Sequence, residues 1–446
     1  MSPAGNFARP LVRKVLILAV VPAMAFMAYW PLRMAWADHL ARASDAESVA
    51  RAVRLSPGDA DFRLKLAALQ QAGGADPKAA LAAAADLDPG NAETWIRLGV
   101  VAEMRGDLHT AEASLLEAAH ASRQFGPRWA LANYYFRRGD SRNFWRWTRA
   151  SLVMGYGDMN PVFQLCWHRS QDAGPIFERA IPERREVLDA YVQFLLQEGR
   201  LAASEPVAAK LARLATTDDQ WTLATWCDRQ IDAGSVPAAV EVWNTLCARH
   251  LLPYAPVDRD RAPLTDGGFT APSGGDGFAW REMPGPGVTM GRNPSPRYLW
   301  VAFSGDQPET CVPLMQFVPV TPGASYSLRF EYQTSELPAA SGLRWSVFDA
   351  RRGMELAAAS PWLSNTDWKP EEVRFTAPDS GLVRLTLICQ RVQGATRIEG
   401  SLELRRLALV AHALAGVPFG PGELQFAVLS AEAGSGTLKR APRGRP

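Results

Sequence analysis

Two near-identical turns, Leu55-Ser-Pro-Gly-Asp-Ala60 and Leu87-Asp-Pro-Gly-Asn-Ala92, stand 32 residues apart in this chain. Each sets Pro and Gly after one apolar run and an Asp or Asn before the next, which reads as a helix stop followed by an N-cap. Punctuation that recurs at a fixed period constrains a chain to stack similar helical hairpins, because one hairpin alone cannot bury its apolar face. The stretch Ala92–Phe125 spells out a full unit. Trp95, Leu98, Gly99 and Ala102 fall at i, i+3, i+4 and i+7, one face of a helix. Arg105-Gly106-Asp107 interrupts it, and a second helix carries Ala111, Leu115 and Ala118 on one face. The small residues Gly99 and Ala111 let the two helices approach closely.

The pattern continues on both sides. Trp129, Ala132 and Phe136, followed by Arg138-Gly139-Asp140, echo the unit, and Glu198-Gly199-Arg200 and Ala233-Gly234-Ser235 mark two further turns 35 residues apart. About five or six units fit between Ala43 and His250, with a degenerate stretch around 150–185. The Trp, Leu-Gly, Ala and Ala positions resemble the tetratricopeptide repeat (TPR), whose period is about 34 residues. That resemblance implies a curved all-α solenoid with a protein partner in its concave groove. Trp129, Tyr134, Arg142 and Trp145 lie in an aromatic- and arginine-dense segment and are candidates for the protein-binding surface. The competing reading makes them repeat core.

Upstream, Arg13-Lys14 precede Val15–Trp30, sixteen residues without a charge. The run suits a short transmembrane helix with Tyr29, Trp30 and Trp36 at the outer interface and the basic residues inside. A signal peptide cleaved after Ala35-Trp-Ala37 is the other reading. Either one exports the chain after about residue 38 and leaves residues 1–37 as a cytoplasmic stub and anchor or signal. The expected setting is a bacterial inner membrane crossed once, with the bulk of the chain in the periplasm.

The helical region, 38–250, gives way to a Pro-bearing linker, 251–263, and then to apolar–polar alternation. Tyr326, Leu328, Phe330 and Tyr332 alternate with Ser327, Arg329, Glu331 and Gln333; Val383, Leu385, Leu387 and Cys389 alternate with Arg384, Thr386, Ile388 and Gln390. Further strands are expected at 298–303, 314–320, 343–349, 371–376 and 398–410, which makes a β-sandwich. Asp266-Gly-Gly-Phe269 with Gly277-Phe-Ala-Trp280, Val318–Tyr326, and Trp368 followed by Val373-Arg-Phe-Thr-Ala-Pro378 resemble the jelly-roll carbohydrate-binding modules of the galactose-binding-like type, families 4 and 9. The resemblance covers 264–411. It implies glycan binding on a polar strand face, with Arg329, Glu331, Gln333, Arg384 and Gln390 as candidate residues, and places Trp368 in packing. It also implies a structural calcium near the first strand, with Asp266 as an oxygen donor. Residues 412–446 are rich in Ala, Gly and Pro, end in a basic tail, and are expected to be disordered.

Chemistry-bearing motifs are scarce. No HExxH, Walker loop or GxSxG elbow occurs, and the six histidines are scattered. A net charge of +2 argues against a nucleic-acid partner. The five cysteines contain no CxxC; Cys311 and Cys389 would pair if the β region is exported, or else serve as two small buried residues. The reading is therefore a multidomain, non-catalytic scaffold without a cofactor: a membrane anchor, a TPR array for protein and a jelly roll for polysaccharide, in exopolysaccharide or cell-envelope assembly. Two other readings stand beside it: a glycoside hydrolase or lyase with carboxylates on the jelly roll, and a scaffold for protein alone.

Overall fold

A computed structural model describes residues 8–412 except 156, 261–262, 273 and 365. The tail expected to be disordered lies outside the described residues, apart from His412. The chain divides into two compact units, Met1–Val207 and Ala208–Pro446.

The first unit is helical. It opens on α1 (Ala8–Ala41), α2 (Ala46–Leu55), α3 (Ala60–Ala72) and α4 (Lys78–Leu87). The central hairpins are α5 (Ala92–Met104) with α6 (Leu108–Ala121) and α7 (Phe125–Arg138) with α8 (Ser141–Val153). The shorter α9 (Asn160–Arg169) and α10 (Ala173–Arg179) occupy the stretch where the repeat degenerates, and α11 (Arg185–Gln197) follows. The division between units falls inside α12 (Leu201–Leu214).

Asp59 and Asn91 are the caps the sequence predicts, and Asp45, Asp107 and Asp140 cap their helices in the same way. Asp45, Asp59, Asn91, Asp107 and Asp140 each accept the backbone N–H three residues on, at 2.7–3.2 Å. Each satisfies one of the four N–H groups that a helix start leaves orphaned. At the other end of α7, Gly139 takes φ 73°, which lets the chain leave the helix without a Cβ clash. Side chains join one hairpin to the next: Arg137 forks onto Glu103, one repeat period away, at 2.6 and 2.8 Å, Lys78 reaches Asp107 at 2.6 Å, and the Tyr135 hydroxyl donates to Glu112 at 2.6 Å. Gly99 lies against α6, where a Cβ would sit 2.7 Å from Leu115 Cγ and 3.2 Å from the Ala111 carbonyl oxygen.

Among the described residues, no helix is long and apolar enough to cross a membrane. The run Val15–Trp30 falls on α1, and the side chains of residues 15–21 and of Ala25 are outside the described set.

Among the described residues, the second unit holds the end of α12, the hairpin α13 (Gln220–Ala233) and α14 (Val236–Ala248), and ten strands. The strands are β1 (Arg281–Glu282), β2 (Val288–Pro294), β3 (Arg297–Ser304), β4 (Thr310–Pro319) and β5 (Ser325–Ser335), then β6 (Leu343–Asp349), β7 (Glu355–Ala359), β8 (Thr366–Thr376), β9 (Leu382–Gln390) and β10 (Glu399–His412). They form two antiparallel five-stranded sheets, ordered β1-β4-β9-β6-β7 and β2-β3-β10-β5-β8.

The predicted alternation is the alternation of burial. Tyr326, Leu328, Phe330 and Tyr332 from one sheet and Leu343, Trp345, Val347, Val383, Leu385 and Leu387 from the other meet in one core. The core closes at one end over Trp280, whose ring lies 5.7 Å from Phe269 and 6.0 Å from Trp345. Buried Gln316 ties the first-strand region to this core: its Nε2 donates to the carbonyls of Thr265 and Phe278, both at 2.9 Å. The segment between α14 and the first strand is packed rather than free of contacts. Asn244 holds Val257 by two hydrogen bonds of 2.7 and 2.9 Å, and Tyr254 stacks on Trp243.

Candidate functional site on the outer face of a sheet

The five candidate glycan residues fall on two different sheets. Arg329, Glu331 and Gln333 point outward from β5, in the β2-β3-β10-β5-β8 sheet. Arg384 and Gln390 lie on β9, in the other sheet. The core separates the two outer faces, so the set does not assemble into one surface. Arg384 is half-buried with its guanidinium 4.9 Å from the Phe348 ring. Gln390 is exposed and lines a depression of about 200 Å³ with Trp362, Arg344 and Arg391.

The outer face around β5 gathers more groups than the candidate list contains. Trp368 of β8 is half-exposed, not packed in the core. The Arg405 guanidinium lies 3.8 Å from its ring centroid, a close cation–π contact, and Tyr298 of β3 meets it edge-on at 6.2 Å. Trp300, also half-exposed, lies across Gly291 of β2, where a Cβ would come within 2.8 Å of its ring. Glu331 accepts from Arg405 Nε at 2.8 Å and from Arg406 at 2.8 Å.

Two successive residues of a strand normally point to opposite faces. Arg405 and Arg406 both reach Glu331 because the β10–β5 register shifts between Arg405 and Ala408, and Arg406 adopts φ 55°. A bulge of this kind re-aims a side chain. Gly267 backs it: Leu407 N–H donates to the Gly267 carbonyl at 2.9 Å, and a Cβ on Gly267 would collide with the Leu407 carbonyl oxygen. The first glycine of the Asp266-Gly-Gly-Phe269 signature thus shapes a face several strands away in sequence.

Beside this cluster, Arg329, Glu331, Glu371, Glu372 and Arg406 line a depression of about 520 Å³. Two of its carboxylates, Glu331 and Glu372, are held below the usual carboxylate range. Hydrogen bonds from Ser327 and Arg374 pull Glu372 down to about 2, and Arg405 and Arg406 hold Glu331 below the usual carboxylate range. A glycosidic general acid needs the opposite shift. The arrangement offers aromatic rings and fixed charges to a ligand.

Asp266 has a different role. Its side chain is buried, and its two carboxylate oxygens accept from Thr270 N–H at 2.7 Å, Thr270 Oγ1 at 2.9 Å, Ala271 N–H at 3.2 Å and Arg292 at 3.0 Å. An anion already neutralised by a guanidinium, with both oxygens facing donors, does not fit calcium, which takes six to eight oxygen ligands. No cluster of three or more metal-ligating side chains occurs among the described residues. Asp266 instead knots the loop that supports the core.

The four helical candidates also separate. Tyr134 and Trp145 are buried, with the Tyr134 hydroxyl donating to the Leu108 carbonyl at 3.1 Å. Trp129 is half-buried against Phe125, their rings 6.0 Å apart, and Arg142 is exposed. Tyr134 and Trp145 are packing residues between helices, which leaves Arg142 and one face of Trp129 for contact with a partner.

Comparison with known proteins gives no matching family model and no match among curated proteins. Solved structures similar to parts of the chain include one of a family 4 carbohydrate-binding module (CBM4), at 10% identity over 30% of this chain and 88% of that chain, TM-score 0.24. YrrB, a TPR protein with an unusual peptide-binding site, is similar at 14% identity over 47% of this chain and 94% of that chain, TM-score 0.23. Yeast Tom70 is similar at 13% identity over 49% of each chain, TM-score 0.27.

Proposed function

We propose that the chain is a non-catalytic scaffold that holds a protein partner in its helical array and a glycan on the outer face of the β2-β3-β10-β5-β8 sheet. The observation that carries the glycan reading is the cluster of Trp368, Tyr298 and Trp300 beside Arg405, Arg406 and Glu331. Half-exposed aromatic faces stack on the C–H surface of a sugar ring, and the planar guanidinium and carboxylate groups around them suit hydroxyls. The anionic state of Glu331 and Glu372 supports binding over hydrolysis. Stacked helical hairpins present extended surfaces to peptides and proteins. The order of Arg13-Lys14, apolar run and Tyr29-Trp30 supports an N-terminal anchor in an inner membrane, with both units in the periplasm and a role in exopolysaccharide or envelope assembly.

The test is calorimetric titration of the full-length protein with a panel of bacterial polysaccharides. Saturable binding should weaken about tenfold in Trp368→Ala and Arg405→Ala, the loss expected for a hot-spot side chain. Gln390→Ala, on the opposite outer face, should bind as the parent does. A folded protein that binds nothing across the panel would leave a scaffold for protein alone. Loss of binding in Gln390→Ala but not in Trp368→Ala would move the glycan to the other sheet.

A further inference from the structure

Within the second unit, the α13–α14 hairpin and the loop before β1 enclose a cleft of about 410 Å³, large enough for a small ligand. Its wall is Trp221, which is 69% exposed, the most exposed large apolar residue of this unit among those described. Its floor rests on buried Trp243, 1% exposed, which stacks on Tyr254 at 5.5 Å and 13° and is met edge-on by Phe278 at 5.7 Å. Pro253 and Pro272 also line it.

The floor is built before any ligand arrives. Gly277, at φ 57°, lies flat on the Trp243 ring, where a Cβ would sit 2.5 Å away. Its N–H donates to Asp228 of α13 at 2.5 Å, and Asp228 is paired with Arg281 at 2.6 Å. A preformed aromatic cleft loses little entropy on binding.

We propose that this cleft is a peptide-binding site, separate from the helical groove and the sheet face, that takes an extended proline-containing segment carrying a basic residue. Aromatic-lined grooves recognise polyproline II segments because their rings stack on a chain whose conformation is already fixed. No Lys or Arg lines the cleft, while Asp276 does, and its carboxylate makes no hydrogen bond or ion pair among the described residues. That leaves one negative charge beside an open indole face, a combination that attracts a guanidinium or ammonium. A sugar would need several free polar groups around its ring. Here the Gln220 amide donates to the Leu251 carbonyl and the Tyr254 hydroxyl donates to the Pro272 carbonyl, so both donors are used internally.

The test titrates the full-length protein with the synthetic peptide (Pro-Pro-Arg)3, its uncharged counterpart (Pro-Pro-Gln)3 and a neutral cello-oligosaccharide, following tryptophan fluorescence and heat. The arginine peptide should bind saturably. Trp221→Ala should weaken it about tenfold with an unchanged melting temperature, because a hot-spot aromatic is removed from an exposed position. Asp276→Asn should abolish the preference for the arginine peptide over the glutamine one. Three results would each overturn the proposal: no binding of either peptide, binding indifferent to Trp221→Ala, or an oligosaccharide that binds and is lost in Trp221→Ala.

Discussion

Cys311 and Cys389 stand directly opposite each other in the β4–β9 ladder. One turn of the hydrogen-bond alternation away, Arg391 N–H donates to the Glu309 carbonyl at 2.8 Å, so the cysteine rung is of the same hydrogen-bonded kind. Such rungs separate their Cα atoms by about 5.5 Å, inside the range of about 4.4–6.8 Å that a disulfide spans. Cys389 is buried and Cys311 half-exposed. A hydrogen bond with Cys389 lowers the Cys311 thiol below its ordinary value, while the same contact pushes Cys389 up. Cys311, the less buried of the two, is the thiol that an external disulfide reaches first.

Treatment with oxidised glutathione should yield a 311–389 cross-link. The two thiols give up two electrons and two protons, and the glutathione disulfide leaves as two thiols. Alkylation and peptide mapping should find Cys166, Cys227 and Cys247, all buried, labelled only after unfolding. A stable glutathione adduct on Cys311 without the cross-link would refute the geometry.

The close approach of α5 and α6 at Gly99 sets a second expectation. Gly99→Val inserts carbon into space already held by Leu115 and the Ala111 carbonyl, and should cost about 1–3 kcal/mol of stability by overpacking. Adding Leu115→Ala should recover part of that loss, since the two side chains would compete for the same volume. Denaturant unfolding of the single and double variants measures the coupling; strict additivity would contradict it.

Asp228 sets a pH dependence. Burial raises its carboxyl to about 6, only partly opposed by Arg281 and the Gly277 N–H, with Asp276 and Asp232 raising it further. Below about pH 4 the carboxyl is protonated in both folded and unfolded chains. As pH rises from about 4 to 6, the unfolded chain releases this proton first. The folded state then holds more protons, and stability falls by up to a few kcal/mol before levelling off. In Asp228→Asn the decline should disappear, so the variant gains stability relative to the parent as pH rises. Melting curves from pH 4.5 to 8 measure the difference, and two parallel profiles would remove Asp228 as the source.

Gln316 offers a fourth test. Replacing it with Leu leaves the carbonyls of Thr265 and Phe278 without their donor in a buried site. A loss of roughly 2–4 kcal/mol is expected for two orphaned acceptors. Gln316→Glu should be worse still, because it sets a carboxyl against those carbonyls. Calorimetric melting reads both, and a neutral Gln316→Leu would show that water replaces the amide.

Much of the fold was legible because its signals are local. A capping Asp acts within three residues, a strand declares itself by period two, and Gly99 with Ala111 announces a close helix pair. The observed strand β6 spans 343–349 as expected, β3 and β8 contain their predicted stretches, and β10 begins one residue after the start of its own. The site was legible only in part. Arg329, Glu331 and Gln333 share a face because alternation on one strand is a local property. Arg384 and Gln390 are separated from them by the pairing of strands, which the sequence does not state. Tyr134 and Trp145 look like recognition residues by type, and packing against neighbouring helices buries them. Trp368 looks like a core residue, yet it faces outward.

By itself, then, the sequence determined the helical repeat, its caps and turns, the change to β structure and the inward phase of β5 and β9, since all of these follow from interactions between residues near in the chain. Tertiary structure alone decided which strands are neighbours, that a bulge after Arg405 brings two arginines onto Glu331, that Gly267 makes room for that bulge, and that Trp221 is left uncovered above Trp243. Each of those depends on contacts between segments far apart in sequence, where a single register shift or one glycine determines which side chains meet.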